Sequence, residues 1–233
     1  MWSDPLAALP RMLIPYEIET LMDRRPWVNW VIIALCVLVS VGCWYGAIPH
    51  DLANEMVLQS DWTPQQFFTY VLLHRTWIHL LGNMVFLWVF GNALCANIES
   101  WLYTALFWGS AIVAGTVHLI MSGTPVIGAS GAVNGIVGLV LAIYPMNRVS
   151  VLWWLFGFHQ FQVRAYVVIL WWFVFDVLDA FSKPDGIAYW SHVGGLLFGV
   201  SMGMICLHYG LIRTTEWDNE TLLELLKGEQ HDS

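Results

Sequence analysis

Six long apolar segments constrain what this chain can fold into more than any other feature of its sequence. A helix that crosses the hydrocarbon core of a bilayer needs about 20 predominantly apolar residues. Only 11% of the residues are charged, whereas a soluble domain carries roughly a quarter. The sequence therefore predicts an integral membrane protein, an all-α bundle of six transmembrane helices. The predicted spans cover residues 27–45, 76–94, 101–120, 130–145, 165–181 and 188–208.

Positive charges predict the orientation of this bundle. Six spans place both termini on one side, and that side would hold seven of the nine Lys and Arg residues. Since cytoplasmic loops are enriched in Lys and Arg, both termini are expected in the cytoplasm. A count of five or seven spans remains an alternative, because the fourth segment is the shortest. The expected organisation is a cytoplasmic N-terminal segment (1–26), a six-span domain (27–208) and an acidic cytoplasmic tail (209–233).

An aromatic segment follows the fourth predicted span. Residues 149–162 contain Trp153, Trp154, Phe156 and Phe158. Because aromatic rings are enriched at the level of the lipid headgroups, this segment is expected to lie at the membrane interface.

Cysteine spacing and charge argue against two classes of function. The four cysteines are scattered and show no metal-ligand spacing. The net charge is −8 and no basic patch indicates nucleic-acid binding. We therefore expect no metal, no organic cofactor and no nucleic-acid partner, and the sequence leaves the oligomeric state open.

Polar residues near the start of the second, fourth and sixth spans are the candidate functional residues. They are His79 and Asn83, Ser130, and His192. Polar groups within a span are costly and usually face the interior of the bundle. With six spans these three helices enter from the same side, so the four side chains are expected at one depth.

Glycines predict how the fourth and sixth spans meet. Small residues at helical spacing let two membrane helices touch backbone to backbone. Each of the two spans carries a stripe of small or polar residues along one face, and if the two stripes pack together, Ser130 lies opposite His192. The stripes consist of Gly131, Asn134 or Gly135, and Gly138 in the fourth span, and of His192, Gly195 and Gly199 in the sixth.

A serine hydroxyl within reach of an imidazole is the core of an activated nucleophile. Ser130 is also predicted at a helix N-terminus, where free N–H groups can stabilise an oxyanion. The Asn83 amide is a further donor, and Gly128 lets the backbone pass close to a substrate. Taken singly, each feature also fits plain helix packing or an interhelical hydrogen bond.

These residues resemble the motifs of the rhomboid family of intramembrane serine proteases. The order of the motifs and their assignment to the second, fourth and sixth spans also agree with the family. The matching residues are His79 and Asn83, then Gly128, Ala129, Ser130 and Gly131, then His192, Gly195 and Gly199.

The resemblance implies a catalytic dyad without an acid, in which Ser130 is the nucleophile and His192 the general base. His79, Asn83 and the backbone N–H of Ser130 would form the oxyanion hole. The implied substrates are single-span membrane proteins, cut in or near the transmembrane segment. In a bacterium the protein would lie in the inner membrane, with the active site opening to the outer side.

The chain departs from the family pattern in two places. Gln65 and Gln66 stand where many members have a Trp-Arg pair, and Asn134 stands where several have a tyrosine packed on the catalytic histidine. We hypothesise that the Asn134 amide hydrogen-bonds His192 instead.

Two other functions remain as alternatives. One is a catalytically silent rhomboid-like protein that binds membrane clients. The other is a small transporter or channel, although the fourth span after Asn134 offers no polar path. Asp176 and Asp179 are expected to be protonated, to lie near the outer end, or to pair with a cation such as Lys183.

Overall fold

Most of the chain folds into helices, as its apolar segments predict. The computed structural model describes residues 13–153, 159–182, 187–214 and 219–228. A 3-10 turn covers Tyr70–Leu72, and a π turn covers Leu87–Gly91. Within the described ranges the helices are α1 (Trp27–Trp44), α2 (His50–Glu55), α3 (Gln66–Thr69), α4 (Trp77–Phe86), α5 (Asn92–Asn97), α6 (Ser100–Met121), α7 (Ser130–Ile143), α8 (Ala165–Ser182), α9 (Tyr189–His208) and α10 (Leu222–Lys227).

Four helices of the described part are long and apolar enough to cross a membrane. They are α1, the continuous helix Trp77–Asn97, α6 and α9. Helix α7 is apolar but has 14 residues, about 21 Å in length, which is short of the ~30 Å hydrocarbon core. The fifth predicted segment forms α8, of 18 residues. Six spans and the side on which the termini lie stay predictions.

Large apolar side chains cover the outside of the helices. Leu38, Ile78 and Leu81 are 68%, 85% and 65% exposed. Water would penalise such a surface, whereas lipid tails accommodate it. These exposed faces fit the predicted integral membrane protein.

A three-stranded antiparallel sheet shows that the prediction of an all-α fold was wrong. Strand β1 (Leu13–Ile18) pairs with β2 (Arg148–Trp153), which pairs with β3 (His159–Arg164). Val149 and Val151 are completely buried on β2, and β-branched residues of this kind favour strands. The protein is therefore mostly helical rather than all-α.

This sheet also contains part of the segment expected at the membrane interface. Residues 149–153 and 159–162 of that segment belong to β2 and β3. The segment's Trp154, Phe156 and Phe158 lie outside the described residues, as does Lys183.

Helix α7 lies at the centre of the bundle. It packs against α6, α8 and α9, and 12 of its 14 residues are buried. A helix that is apolar all round is stable when other helices surround it. The two residues that keep partial exposure are Ser130 and Asn134, one turn apart on the same face.

A buried amide ties α1 to the π turn and to α6. Asn29 donates from Nδ2 to the Leu87 carbonyl at 2.7 Å and to Asn92 Oδ1 at 2.8 Å. The Tyr103 hydroxyl donates to Asn29 Oδ1 at 2.6 Å. Because a buried polar group is costly unless it is paired, this network holds the helix that carries His79 and Asn83 in a defined place.

Gln66, one of the two departures from the family pattern, anchors the first loop. Its side chain is buried, its Nε2 donates to the Glu55 carbonyl at 3.1 Å, and its Oε1 accepts from the Thr63 N–H at 3.0 Å. The loop between α2 and α3 is therefore tied to α3.

Candidate active site

Ser130 is the first residue of α7, and Ala129 is the N-cap. Its side chain is partly exposed, whereas residues 131–133 are buried. The N–H groups of the first helical turn have no partner within the helix, so the backbone at the start of α7 can donate hydrogen bonds to a group bound beside Ser130. The prediction that this serine begins a helix is confirmed.

The loop before Ser130 is held by backbone hydrogen bonds to the first loop. Val126 and Leu58 exchange two such bonds, of 2.9 and 3.3 Å. The Gly128 N–H donates to the Tyr70 carbonyl at 2.9 Å. The loop that leads into Ser130 is therefore held in place by a part of the chain that is distant in sequence.

His74, which no sequence motif indicates, completes this anchor. The Ala129 N–H donates to His74 Nε2 at 3.4 Å, and His74 Nδ1 lies 3.0 Å from Ser40 Oγ. Burial, together with the charge of nearby His79, lowers the pKa of His74 to about 3. The ring is therefore neutral near pH 7 and can accept from Ala129. Because Nε2 accepts, the ring proton lies on Nδ1 and is donated to Ser40.

Gly128 has a backbone conformation and a neighbour that exclude a side chain. Its φ is +115°, a region that residues with a Cβ rarely adopt. A Cβ at this position would lie 2.6 Å from Cε1 and 2.8 Å from Nε2 of His79. The space that was expected to admit a substrate is thus occupied by the His79 ring, which packs against the backbone two residues before Ser130.

Gly128→Ala is expected to slow cleavage of a membrane-embedded model substrate by about tenfold, since backbone strain of ~1–3 kcal/mol would displace both His79 and the loop. Initial rates with purified protein in detergent would measure this effect. Gly123→Ala is the matched control. Gly123 lies in the same loop at φ +68°, with only a carbonyl oxygen 3.9 Å from its Cβ position. Equal rates for the two variants would contradict a specific role of the His79 contact.

His79 and Asn83 lie on one face of α4, as their spacing predicts. The Thr76 hydroxyl caps this helix by accepting from the His79 N–H at 3.2 Å. The Asn83 side chain is buried and donates from Nδ2 to the His79 carbonyl at 3.1 Å. Both side chains are therefore held on one face of α4, with the His79 ring directed at Gly128.

Glycines bring α7 and α9 into backbone contact, which confirms the predicted packing of the two stripes. A Cβ on Gly195 would overlap the Gly131 carbonyl, and one on Gly199 would overlap the Gly135 carbonyl. A Cβ on Gly131 would overlap the Ser191 hydroxyl. Helices approach this closely only where both carry small residues.

This contact places the starts of α7 and α9 side by side. Ser130 directly precedes Gly131, and His192 directly follows Ser191. Within the described residues no hydrogen bond joins the Ser130 hydroxyl to the His192 ring. The structure thus brings the two helix ends together without closing a Ser-His hydrogen bond.

His192 contacts a carboxylate, contrary to the acid-free arrangement that the resemblance implies. Its Nδ1 lies 3.1 Å from Asp176 Oδ2 on α8. The Tyr189 ring packs edge-on against the imidazole, with centroids 6.0 Å apart. The sequence left the partner of Asp176 undecided, because a sequence alone does not show which face of α8 meets α9.

Asn134 does not make the hydrogen bond to His192 that we hypothesised. Its Nδ2 donates to the Ser130 carbonyl at 3.0 Å, within its own helix. The contact stripe of α7 runs through Gly135, so Asn134 lies beside it and its amide turns back along α7.

Metal-ligating side chains of the described residues do not cluster at the site. His118 Nε2 is 3.1 Å from the Thr124 hydroxyl. In the part of the chain that the structure describes, no group of three His, Cys, Asp or Glu side chains could hold a metal ion.

Comparison with known proteins gives a consistent family assignment. A family model described as the rhomboid domain matches residues 61–209. Similar curated proteins are named rhomboid protease GlpG, from Salmonella choleraesuis (strain SC-B67), Salmonella newport (strain SL254) and Salmonella heidelberg (strain SL476). Each is 26% identical over 200 residues, which cover 81% of this chain and 66% of the relative. The chain therefore spans just under two thirds of the length of these relatives.

Proposed function

Because the chain belongs to the rhomboid family, we propose that it is an intramembrane serine endopeptidase that cleaves single-span membrane proteins in or near their transmembrane segment. Ser130 is the nucleophile and His192 the general base. The observation that carries this proposal is the glycine-lined contact of α7 with α9, which supports a reacting pair built from the two adjacent helix starts.

The reaction follows the chemistry of a serine nucleophile. His192 takes the hydroxyl proton while Ser130 Oγ attacks the scissile carbonyl. The C–N bond then breaks as His192 returns that proton to the leaving amine, which gives an acyl-enzyme. Water attacks the ester with His192 again as the base, and this step releases the acid product and restores Ser130.

The oxyanion formed in each attack needs preorganised donors. The backbone N–H of Ser130, at the start of α7, is one donor without an intrahelical partner. His79 and Asn83 supply the others in this proposal. The contact of the His79 ring with Gly128 supports its proximity to the reacting serine.

A six-span topology with cytoplasmic termini completes the proposal. Helix α7 has 14 residues and spans about 21 Å of a ~30 Å hydrocarbon core. With its C-terminus at the cytoplasmic interface, Ser130 lies below the outer surface and opens to that side. In a bacterium the protein would lie in the inner membrane. The partly exposed face of Ser130 and Asn134 supports access for water, which hydrolysis consumes.

A fluorophosphonate probe tests this function in detergent-solubilised protein, since it reacts with serines that are activated as nucleophiles. We expect labelling of the parent protein and none of Ser130→Ala. Ser191→Ala is the matched control, because this buried serine lies at the same α7–α9 contact and its loss is expected to leave labelling unchanged.

Two outcomes would contradict the proposal. An unlabelled parent that is folded, under conditions that label an active rhomboid protease, would favour the catalytically silent client-binding protein. Undiminished labelling of Ser130→Ala would place the reactive serine elsewhere in the chain.

A further inference from the structure

Asp176 and His192 form a mostly buried pair that links α8 to α9. The distance from Asp176 Oδ2 to His192 Nδ1 is 3.1 Å, and the two side chains are 15% and 14% exposed. This distance fits a hydrogen bond in which Nδ1–H donates to the carboxylate when the ring proton is on Nδ1. The pair is therefore a directed contact between two helices rather than a solvated surface ion pair.

The surroundings of Asp176 make a carboxylate costly there. Its neighbours in sequence are apolar, namely Val174, Phe175, Val177 and Leu178. A charged side chain within an apolar span costs several kcal/mol unless a partner or water offsets that cost. A role that needs the carboxylate would account for its presence at this position.

The pairing also determines which ring nitrogen of His192 remains available. The hydrogen bond at one imidazole nitrogen sets which nitrogen carries the proton. With the proton on Nδ1 and bound to Asp176, Nε2 keeps its lone pair. Among the described residues Nε2 has no hydrogen-bond partner, so it is the nitrogen that can act as a base.

We propose that Asp176 is a positioning residue for His192, which it holds in the tautomer and orientation that present Nε2 to Ser130. This inference rests on the proposed function. The carboxylate also stabilises the imidazolium that forms when His192 takes the Ser130 proton. Tyr189 packs on the same ring, so the base is held by an aromatic edge from its own helix and by a carboxylate from α8.

Asp176→Asn tests the inference through kinetics. We expect kcat to fall by about 10- to 100-fold, less than the ~10²–10⁴-fold that loss of the general base itself would cost, with KM changed less than twofold. The matched control is Asp179→Asn, the same change one turn along α8, which is expected to keep kcat within twofold of the parent. Initial rates against a membrane-embedded model substrate give both constants.

The tautomer of His192 provides a readout that does not depend on activity. In ¹⁵N-histidine-labelled protein, with His192→Gln used to assign the signal, we expect a protonated Nδ1 and an unprotonated Nε2. Asp176→Asn is expected to yield a mixture, since an amide both donates and accepts. A parent protein with its proton on Nε2 would overturn the inference, whether or not the variants fold.

The outcomes separate this inference from the proposed function. A parent that labels at Ser130 while Asp176→Asn keeps the parent kcat and tautomer would overturn the role of Asp176 alone. A fall in kcat matched by Asp179→Asn, or explained by a lower thermal midpoint, would also overturn it. Failure of the parent to label at Ser130 would refute the peptidase, while the tautomer measurement would still report on the pair.

Discussion

His192→Gln is expected to lower the rate of substrate cleavage by about 10²–10⁴-fold, the range that general base catalysis supplies. Glutamine has no ring nitrogen that can take the Ser130 proton, so the hydroxyl stays a weak nucleophile. Initial rates with a membrane-embedded model substrate would measure the loss, and fluorophosphonate labelling should fall in parallel because it needs the same activated hydroxyl.

His208→Gln is the matched control for this variant. His208 is the last residue of α9, so the same chemical change is made on the same helix, far from Ser130. We expect its rate to stay within twofold of the parent. Parent-like cleavage by His192→Gln would mean that another group, such as His79, removes the proton.

Gly199→Ala is expected to reduce cleavage by about 10²-fold, since a misplacement of about 1 Å can cost that much in rate. The added Cβ would overlap the Gly135 carbonyl and lie 2.8 Å from its carbonyl carbon. Because backbone atoms cannot yield as a flexible side chain does, α7 and α9 must move apart. Overpacking of this kind costs roughly 1–3 kcal/mol, and the thermal midpoint should fall by about 2–12 °C.

Gly82→Ala separates this effect from the general consequences of replacing a glycine. Gly82 lies on α4, and no atom is within 4 Å of its Cβ position. Alanine is the better helix former, so this variant should match or exceed the parent in thermal midpoint and in rate. Parent-like behaviour of Gly199→Ala would contradict the close contact of the two helices.

The contact of α7 with α9 was predictable because its signal is local. Small residues at helical spacing mark a stripe on one helix, and Gly195 and Gly199 match Gly131 and Gly135 on the other. Only the choice between Asn134 and Gly135 needed the structure, since both lie near one face of a helix with 3.6 residues per turn.

The sheet was not predictable in the same way. Strand β1 (Leu13–Ile18) pairs with β2 (Arg148–Trp153) across more than 120 residues. Neither strand has a buried face until the other is in place. The aromatic residues of 149–162 indicated a membrane interface. The alternation of Val149 and Val151 was too short to predict a strand.

The sequence by itself determined the membrane class, the position of most helices, and the placement of Ser130 at a helix start beside a glycine stripe. These follow from hydropathy and helical period, which are properties of neighbouring residues. Only the tertiary structure decided that Asp176 meets His192 and that His74 holds the Ala129 N–H. Each of these contacts joins side chains from separate elements, so it depends on how the elements rotate and pack, which no local pattern of residues encodes.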